Sequence, residues 1–385
     1  MKKGWQTKKL GDLCEIELGK TPARADKAFW DEKRETDNVW LSIADLLNAD
    51  DNIVVDSKEY LSDKGAEISK TVSKGTLLVS FKLTLGRLAF AGRDLFTNEA
   101  IAALTIFNEH ELSKEFLFYF LHFFDWRKAA ENDIKLKGMT LNKAKLKEMD
   151  VHFPPFREQK QIVNVLDEVF EKTAKAKENA EKNLQNAREL FESYLHSIFA
   201  NPGDNWEEKN LGECFKLRSG DNITSKMMNE NGKFPVYGGN GIAGRYDKYN
   251  LSGSNIVIGR VGALCGNVRH LKEEIWLTDN AFKVTDWKYD FDHAFLTYLL
   301  NFKNLRSYAR QAAQPVISNS SLESVLLQFP ESISEQKNIV SKLDSLSAET
   351  KKLEAIYKQK LTDLEELKKS VLHKAFNGEL AGACS

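Results

Sequence analysis

The chain has 385 residues, of which 42% are hydrophobic and 29% are charged, so it can build folded cores and wholesale disorder is excluded. At about 100–200 residues per domain, this length predicts two or three domains. Lysine and arginine number 55 and aspartate and glutamate 56, giving a net charge of -1. That balance excludes a globally basic protein of the histone type, but it leaves room for a local basic face.

The sequence also predicts a reducing, membrane-free setting. No apolar run approaches the roughly 18–20 residues that a membrane span needs. Residues 1–9 carry charge but no apolar stretch follows, so we expect no signal peptide. The cysteines are far apart and form no CxxC pair, which argues against a disulfide framework or a zinc site and favours the cytoplasm; they are Cys14, Cys214, Cys265 and Cys384.

In chain order, the first feature is a repeat that runs through the whole sequence. The same short words recur in the same order: Trp5 and Trp206, Gly19 and Gly220, Thr97–Ala100 and Thr278–Ala281, Phe116–Tyr119 and Phe295–Tyr298, Phe153-Pro154 and Phe329-Pro330, Glu158-Gln159 and Glu335-Gln336, Leu166-Asp167 and Leu343-Asp344, Ser193–His196 and Ser370–His373. The offset falls from 201 to 177 along the chain. We therefore predict two similar halves, the second with a globular part shorter by about 24 residues.

The first part of each half predicts a mixed α+β domain. Strand-like words occur at 75–80 and 254–259, and aromatic helix-like stretches follow at 115–126 and 293–302. The first helix-like stretch holds five phenylalanines, which we interpret as core rather than as a stacking platform: Phe116, Phe118, Phe120, Phe123 and Phe124.

The second part of each half predicts a long helix. Neither proline nor glycine occurs from 157 to 200 or from 331 to 377. Pro154-Pro155 precedes the first helix and Asn201-Pro202-Gly203 ends it. Pro330 precedes the second, Ser332 or Ser334 is the N-cap, and Asn377-Gly378 ends it. At about 42 residues, each helix would be roughly 63 Å long.

Both helices carry an apolar stripe at coiled-coil spacing. The predicted seam consists of Ile162, Leu166, Val169, Phe191, Tyr194 and Ile198 on the first helix, and of Ile339, Leu343, Leu346, Leu353, Tyr357, Leu364, Leu367 and Val371 on the second. Since the first helix leads into the second domain and the second begins where that domain ends, the two stripes would pair antiparallel. The alternative is two independent amphipathic helices, each packed on its own domain.

The segments that resemble known catalytic or cofactor-binding motifs lack the features that those motifs require. Gly19-Lys20-Thr21 lacks the first glycine of a P-loop, and Pro22 follows it. Gly239–Gly244 fits GxGxxG, but the residues after it read as loop or strand instead of helix, so we interpret it as a glycine-rich surface loop. The sequence contains no HExxH, GxSxG or paired metal spacing. A repeated domain pair without a catalytic word indicates a two-headed binding device.

The sequence resembles the specificity subunit of type I restriction–modification enzymes. The matching words are Leu10–Asp12 with Gly19–Pro22, Tyr237–Gly244, Gly259–Gly262, Thr278–Ala281, Pro154-Pro155 with Glu158–Ile162, and Ala375–Leu380. The resemblance covers the whole chain. The first domain departs from it at the glycine loop, where it has Trp40-Leu-Ser-Ile-Ala-Asp45, so its base-reading residues cannot be copied from the second domain.

The resemblance implies a bacterial or archaeal cytoplasmic DNA-binding subunit of a host-defence system. Its fold class would be α+β, with two tandem target-recognition domains separated by two long antiparallel helices that form a coiled coil, and an internal pseudo-twofold repeat. The expected segments are target-recognition domain 1 at 1–155, a central long helix at 156–201, target-recognition domain 2 at 202–330, a C-terminal long helix at 331–378 and a tail at 379–385.

The resemblance also implies the partners. Each domain would read one half of a bipartite site in double-stranded DNA, while the helices set the spacing and hold two methyltransferase subunits; two restriction subunits would join them. The chain itself would be non-catalytic and would bind no cofactor. DNA methylation with S-adenosylmethionine, and the chemistry that uses ATP and magnesium, would belong to the partners.

For base contacts we select polar loop residues, because arginine suits guanine, asparagine suits adenine and lysine suits phosphate. The candidates are Lys20, Arg24, Lys82, Thr84 and Arg87 in the first domain, and Asn222, Lys226, Asn240, Arg245, Arg260 and Arg269 in the second. Each alternatively serves as a solvated charge or a structural cap. Two other functions stay open: a coiled-coil scaffold that tethers two protein-binding domains without DNA, and a stand-alone nuclease or methyltransferase.

Overall fold

The computed structural model describes residues 4–130, 134–135, 138–310 and 314–380, with the backbone alone at 134–135 and 138–140. The chain divides into two compact units. The first unit consists of residues 1–179 and 361–385, and the second of residues 180–360. Each unit therefore holds one globular domain together with a segment of each long helix.

The globular part of the first unit alternates short strands and helices. Its strands are β1 (Gln6–Lys9), β2 (Cys14–Leu18), β3 (Val39–Leu41), β4 (Ile53–Val54), β5 (Glu59–Tyr60), β6 (Thr71–Val72), β7 (Leu77–Ser80), β8 (Lys82–Leu83), β9 (Leu88–Ala91), β10 (Leu95–Thr97), β11 (Ile101–Ile106), β12 (Ile134–Lys135), β13 (Gly138–Thr140) and β14 (Asp150–Phe153). Its helices are α1 (Leu10–Leu13), α2 (Asp63–Glu67), α3 (Lys114–Phe123), α4 (Trp126–Ala129) and α5 (Lys143–Lys147), with 3₁₀ turns at Lys27–Phe29 and Asp45–Asn48.

A long helix α6 (Phe156–Phe199) leads into the second unit. The strands there are β15 (Trp206–Asn210), β16 (Lys216–Ser219), β17 (Phe234–Gly238), β18 (Gly241–Tyr246), β19 (Asn255–Gly259), β20 (Val268–Leu271), β21 (Trp276–Leu277), β22 (Ala281–Thr285) and β23 (Leu326–Pro330). The helices are α7 (Leu211–Cys214), α8 (His293–Phe302), α9 (Asn319–Leu322) and α10 (Ile333–Phe376), with a 3₁₀ turn at Leu305–Tyr308.

The main sheets of the two units have matching strand orders. The first unit has a sheet in the order β2-β11-β7-β9-β4, and the second has β16-β22-β19-β20. The antiparallel pair β1-β14 matches β15-β23, and the parallel pair β3-β10 matches β17-β21. The antiparallel partner of β3 is β5, as that of β17 is β18. The first unit adds β4, β6 and the small sheet β12-β13-β8. The matching strand orders confirm the repeat that the sequence predicts.

The predicted strands and helices form where the sequence places them. The strand-like words become β7 and β19, and the aromatic stretches become α3 and α8. Phe116, Phe118 and Phe120 are buried in the core of the first unit, whereas Phe123 is 36% exposed and stacks on Phe376. The α3 phenylalanines therefore build the contact between sheet and long helices.

The long helices confirm the predicted boundaries within about two residues. Ser332 is the N-cap of α10, since its hydroxyl accepts the Glu335 amide, while Ser334 lies inside the helix. In the first unit Lys177 of α6 pairs with Glu365 of α10 at 3.2 Å, and in the second unit Arg188 pairs with Glu354 at 3.3 Å. In both units α6 and α10 thus pack against each other antiparallel. No helix in the described part of the chain is long and apolar enough to cross a membrane.

The seam of α10 differs from the prediction at alternate positions. The residues at every seventh position, from Leu343 to Val371, are buried or half-buried, but Leu353 is 39% exposed and Leu367 is 45% exposed. The residues one position later, Glu354 and Lys368, are half-buried instead. On a helix, the residues three and four positions after a given residue both lie next to it. The prediction chose the leucines because they are apolar. In the structure the half-buried Glu354 pairs with Arg188 of α6 and with Lys358 of α10.

The other predicted seam residues are buried or half-buried. On α6, Ile162 and Leu166 are buried, while Val169, Phe191, Tyr194 and Ile198 are half-buried. On α10, Ile339, Leu346, Tyr357 and Leu364 are half-buried. Ile162 and Leu166 share a core with Leu372 and Phe376 in the first unit.

Each globular domain joins its helices through the same set of polar contacts. Tyr119 donates to Asp167 at 2.6 Å, and Tyr298 donates to Asp344 at 2.7 Å. Two fully buried glutamines hold the backbone at the start of each long helix: Gln159 contacts Ser113, Glu111 and Pro154, and Gln336 contacts Asp292 and Pro330. The repeated words Phe116–Tyr119, Glu158-Gln159 and Leu166-Asp167 therefore encode a repeated joint.

Candidate nucleic-acid interface

In the second unit, three loops converge beside the ends of β17, β19 and β21. We define face 2 as the loops 238–241, 259–264 and 278–280. The Thr278 amide donates to the Tyr237 carbonyl at 2.9 Å, and the Arg260 amide donates to the Asn280 carbonyl at 3.0 Å. The side-chain oxygen of Asn240 accepts the Leu264 amide at 2.8 Å. Backbone hydrogen bonds and one amide side chain thus hold the three loops together.

Two glycines make this convergence possible. A Cβ at Gly239 would lie 2.0 Å from the Val261 carbonyl oxygen, so the approach of the two loops needs glycine. Gly262 has a φ of +103°, and a Cβ there would meet the Asn240 side chain at 2.6 Å. Gly239 of the GxGxxG motif therefore serves loop packing, whereas the motif from Gly241 onward lies in β18. The residues after the motif are strand and loop, as the sequence predicts.

Face 2 brings three of the predicted residues together. Asn240, Arg260 and Arg269 all lie around the glycine loop, with the Arg269 guanidinium next to Gly241. The Arg260 guanidinium lies 5.4 Å from the Phe282 ring, and its Nη1 donates to the Asp279 carbonyl at 3.3 Å. Its buried Nε has no acceptor among the described residues. Arg260 therefore lies on face 2, and its guanidinium stabilises the loops of that face.

Arg245, Asn222 and Lys226 lie outside the three loops that define face 2. The Arg245 guanidinium donates to the backbone carbonyls of Gly232 at 2.5 Å and Lys233 at 2.7 Å. Both donors are thus used to fix the loop between β16 and β17. Asn222 and Lys226 are exposed on that same loop. The structure consequently separates a loop-fixing arginine from two exposed polar residues.

The first unit builds the matching face from different residues. We define face 1 as the loops 19–24, 80–87 and 97–100. The Lys20 amide donates to the Thr97 carbonyl at 2.8 Å, and the Phe81 amide donates to the Ala100 carbonyl at 3.0 Å. Trp40, which lies in β3 at the position that Val236 takes in β17, donates its indole N–H to the Lys20 carbonyl at 3.0 Å. This hydrogen bond links β3 to the 19–24 loop of face 1.

A carboxylate lies at the centre of the charged groups on face 1. Glu99 accepts the Thr21 hydroxyl. Burial by itself would raise the pKa of the Glu99 carboxyl, but the Thr21 hydrogen bond and the positive charges of Lys82 and Arg24 lower it. The Arg24 guanidinium pairs with Glu59 and stacks 4.2 Å from Trp30. Face 1 is thus a balanced cluster of both signs rather than a basic patch.

Three of the remaining predicted residues of the first domain lie within the 80–87 loop. Thr84 is exposed, and Lys82 is half-buried with its ammonium 5.2 Å from the Phe81 ring. The Arg87 guanidinium donates to the Ile43 carbonyl at 3.2 Å, so it also supports its own domain. Lys20, on the 19–24 loop, is also exposed. Arg87 is therefore held by its own domain, whereas Lys20 and Thr84 are exposed.

Sequence reasoning missed several residues of both faces. Thr21 and Glu99 on face 1, and Asp279 and Asn280 on face 2, were absent from the predicted set. The repeated word Thr97–Ala100 and Thr278–Ala281 was a usable signal, because it marks the loop around which both faces form. Trp30 carried no such signal.

Nucleophilic and metal chemistry find little support in the described part of the chain. Cys14, Cys214 and Cys265 are free and buried, and burial raises the pKa of Cys14 to about 12 and of Cys214 to about 11. Such thiols are poor nucleophiles at neutral pH. No group of three or more His, Cys, Asp or Glu side chains among the described residues is arranged to hold a metal ion. Cys384 lies outside the described residues.

Two matching faces on a duplicated α+β fold define the fold class, and comparison with known proteins gives the family. The family model for the type I restriction modification DNA specificity domain matches residues 2–185 and again 203–363. The chain therefore belongs to the type I restriction–modification DNA specificity family.

Individual relatives agree with this assignment. The specificity subunit of the type I restriction enzyme EcoprrI from Escherichia coli is 25% identical over 366 residues, which is 91% of this chain and 90% of the relative. The MjaIX specificity subunit from Methanocaldococcus jannaschii is 28% identical over 262 residues, covering 60% of this chain and 57% of the relative.

Two solved structures have the same fold. One is a chain solved in work on complex assembly and conformational transition of the type I R-M system, with a TM-score of 0.75 over 98% of this chain and 99% of that chain. The other is the HsdS subunit from Thermoanaerobacter tengcongensis, with a TM-score of 0.61 over 98% of both chains. Both are 18% identical to this chain, so the likeness concerns the fold alone.

Proposed function

We propose that this chain is the non-catalytic DNA-specificity subunit of a type I restriction–modification system. Each domain reads one half of a bipartite DNA site, and the helical pair sets the spacing. The observation that carries the proposal is the repetition of the face. In both units, loops from equivalent strand ends meet through equivalent backbone bonds, yet the side chains that they present differ. A repeated scaffold with unlike side chains suits an asymmetric site with two unlike halves.

The segments take the following roles in this proposal. Residues 1–155 and 202–330 are the two target-recognition domains, residues 156–201 and 331–378 are the long helices, and residues 379–385 are a tail. Since α6 and α10 pair within each unit, their register fixes where each domain is attached. The helical pair also serves as the docking surface for methyltransferase subunits.

The geometry sorts the candidate residues into two roles. Side chains that bond their own backbone or stack on their own aromatics shape the loops; these are Arg24, Arg87, Arg245 and Arg260. The residues proposed to face DNA are Lys20, Lys82, Thr84, Asn222, Lys226, Asn240 and Arg269. Asparagine and arginine among them suit base edges, while the lysines suit phosphate.

The assembly supplies what this chain lacks. We propose two methyltransferase subunits and two restriction subunits as partners, with S-adenosylmethionine, ATP and magnesium used by those subunits. The chain carries a net charge of -1, and face 1 is of mixed sign. Because phosphate neutralisation supplies most sequence-independent affinity, the partners would provide that share. This chain would provide base discrimination.

A selection experiment tests the proposal directly. The chain is co-expressed with its methyltransferase partner, and the complex is presented with randomised duplexes in a mobility-shift assay. We expect enrichment of a motif with two short fixed halves separated by a spacer of constant length. Failure to enrich any bipartite motif would refute DNA reading, and it would favour a coiled-coil scaffold that tethers two protein-binding domains.

An exchange of one domain tests whether the halves are read independently. Replacing residues 207–328 by the equivalent segment of a relative should change one half-site and leave the other unchanged. The segment begins in β15 and ends in β23, which pair with each other, so both junctions lie in one two-stranded sheet. If both half-sites change, the two units do not read their half-sites independently.

A further inference from the structure

Leu83 is unusual both in its backbone conformation and in the exposure of its side chain. It has a φ of 63°, in the left-handed region that leucine avoids, and it is 53% exposed. The other non-glycine residues with positive φ in the described part of the chain are Asp, Asn or Arg: Arg34, Asp51, Asn52, Asp286 and Asn304. A strained backbone that also places an aliphatic side chain in water costs stability twice, and such features concentrate at functional sites.

The second unit shows what this loop position ordinarily holds. The amide of Phe81 bonds the Ala100 carbonyl and its carbonyl accepts the Leu141 amide, just as the amide of Arg260 bonds Asn280 and its carbonyl accepts Ile317. Phe81 and Arg260 are therefore equivalent, and Leu83 is equivalent to Gly262, which has a φ of +103°. The loop geometry is thus repeated, and the first unit has a leucine where glycine satisfies the backbone.

The neighbours of Leu83 identify the surface that it serves. It lies on face 1, between the proposed DNA-facing residues Lys82 and Thr84. In the equivalent loop of face 2, Leu264 is 43% exposed, and Ile242, one residue beyond the 238–241 loop, is 63% exposed. Both faces therefore combine polar groups with a projecting apolar side chain.

Base edges in the major groove offer one apolar group that suits such a side chain. It is the C5-methyl group of thymine, which side chains read by apolar contact. An isolated leucine set among polar groups matches a methyl group that is itself flanked by hydrogen-bonding atoms. A flat protein surface would instead call for a contiguous apolar patch.

We propose that Leu83 is a specificity-determining residue that packs against the C5-methyl group of a thymine in the half-site read by the first domain. The inference rests on the proposed function, since it requires face 1 to meet the major groove. The strained backbone directs the side chain outward, and contact with the methyl group removes it from water in the complex.

The test uses the duplex selected by the wild-type complex. Each thymine of the site is replaced in turn by deoxyuridine, which removes the methyl group and keeps the hydrogen-bonding edge. One replacement in the first-domain half-site should weaken wild-type binding roughly fourfold, as expected for one methyl-sized group. Leu83→Gly and Leu83→Asn should bind the thymine duplex as weakly as wild type binds the uracil duplex, and should not distinguish the two.

Stability measurements separate this role from a structural one. Glycine and asparagine both accept positive φ, so the variants should melt at or above the wild-type temperature. Phe107→Asn is the matched control, because Phe107 is 63% exposed and follows β11 at the end opposite face 1. It should leave thymine–uracil discrimination intact.

The outcomes distinguish the inference from the function on which it rests. If the wild-type complex enriches no bipartite motif, the proposed function fails. If it enriches one, but no uracil replacement couples to Leu83, the inference alone fails; equal loss at every sequence would indicate a wedge between base pairs instead. A lower melting temperature of Leu83→Gly would also overturn it, since leucine would then stabilise the fold.

Discussion

The joint between each domain and the long helices gives a quantitative prediction for Gln159→Leu. Gln159 is fully buried, and its side chain accepts the Ser113 amide at 2.9 Å and donates to the carbonyls of Glu111 and Pro154 at 2.8 Å each. Leucine has a similar size but no polar atoms. The substitution would leave one buried amide and two carbonyls without their partner.

The cost follows from the number of groups left unpaired. A buried backbone group without a partner costs about 1–3 kcal/mol, so we expect a loss of about 3–5 kcal/mol for Gln159→Leu after the apolar gain of leucine. Gln336 makes two such bonds, with the Asp292 amide at 2.8 Å and the Pro330 carbonyl at 2.9 Å. Gln336→Leu should therefore cost less, about 2–4 kcal/mol.

Hydrogen exchange of the full chain measures each unit by itself. Peptides from α3 report on the first joint and peptides from α8 on the second, since local opening energies can be read segment by segment. Gln159→Leu should speed exchange in α3 more than Gln336→Leu speeds it in α8. Gln161→Leu is the control, because Gln161 is exposed two residues further along α6.

Two results would refute this reasoning. One is a loss below about 1 kcal/mol for Gln159→Leu, which would mean that water or a rearranged backbone replaces the bonds. The other is an equal or larger effect of Gln336→Leu, which would break the link between the number of bonds and the cost. An effect of Gln161→Leu equal to that of Gln159→Leu would show that any leucine in this turn destabilises it.

The remaining predictions concern spacing, pH and salt. Removing residues 182–188 together with 354–360, which meet at the Arg188–Glu354 ion pair, shortens each helix by about 10 Å and should shorten the selected spacer by about three base pairs; an unchanged spacer contradicts this. Burial lowers the pKa of His270 and His293, which share the Ser254 hydroxyl, so their neutral forms stabilise the fold above about pH 6.5; thermal melts of the second unit should show stability falling as the pH drops below that value, and an H270Q/H293Q double variant should flatten the fall. The isolated chain should show a shallower dependence of DNA affinity on salt than the full complex, as titrations at several salt concentrations would measure; an equal slope would place the phosphate contacts on this chain.

The sequence alone determined the repeated architecture. The absence of proline and glycine over two long stretches predicted the ends of α6 and α10 within about two residues, because these two residue types are the ones that most often interrupt a helix. The repeated words predicted two similar domains, and the pattern of connection predicted antiparallel pairing of the helices, which the ion pairs in each unit confirm.

The tertiary structure decided which side of a helix and which side chains of a loop are used. Periodicity could not distinguish Leu353 from Glu354, since both lie next to the same residue of the preceding turn. In the folded protein Glu354 is half-buried and meets Arg188 of the other long helix, whereas Leu353 is 39% exposed. Arg245 and Lys226 look equally free in the sequence, yet only the folded loop brings two backbone carbonyls to Arg245. Local patterns fix secondary structure, whereas the role of a polar side chain depends on atoms that are distant in sequence and close in space.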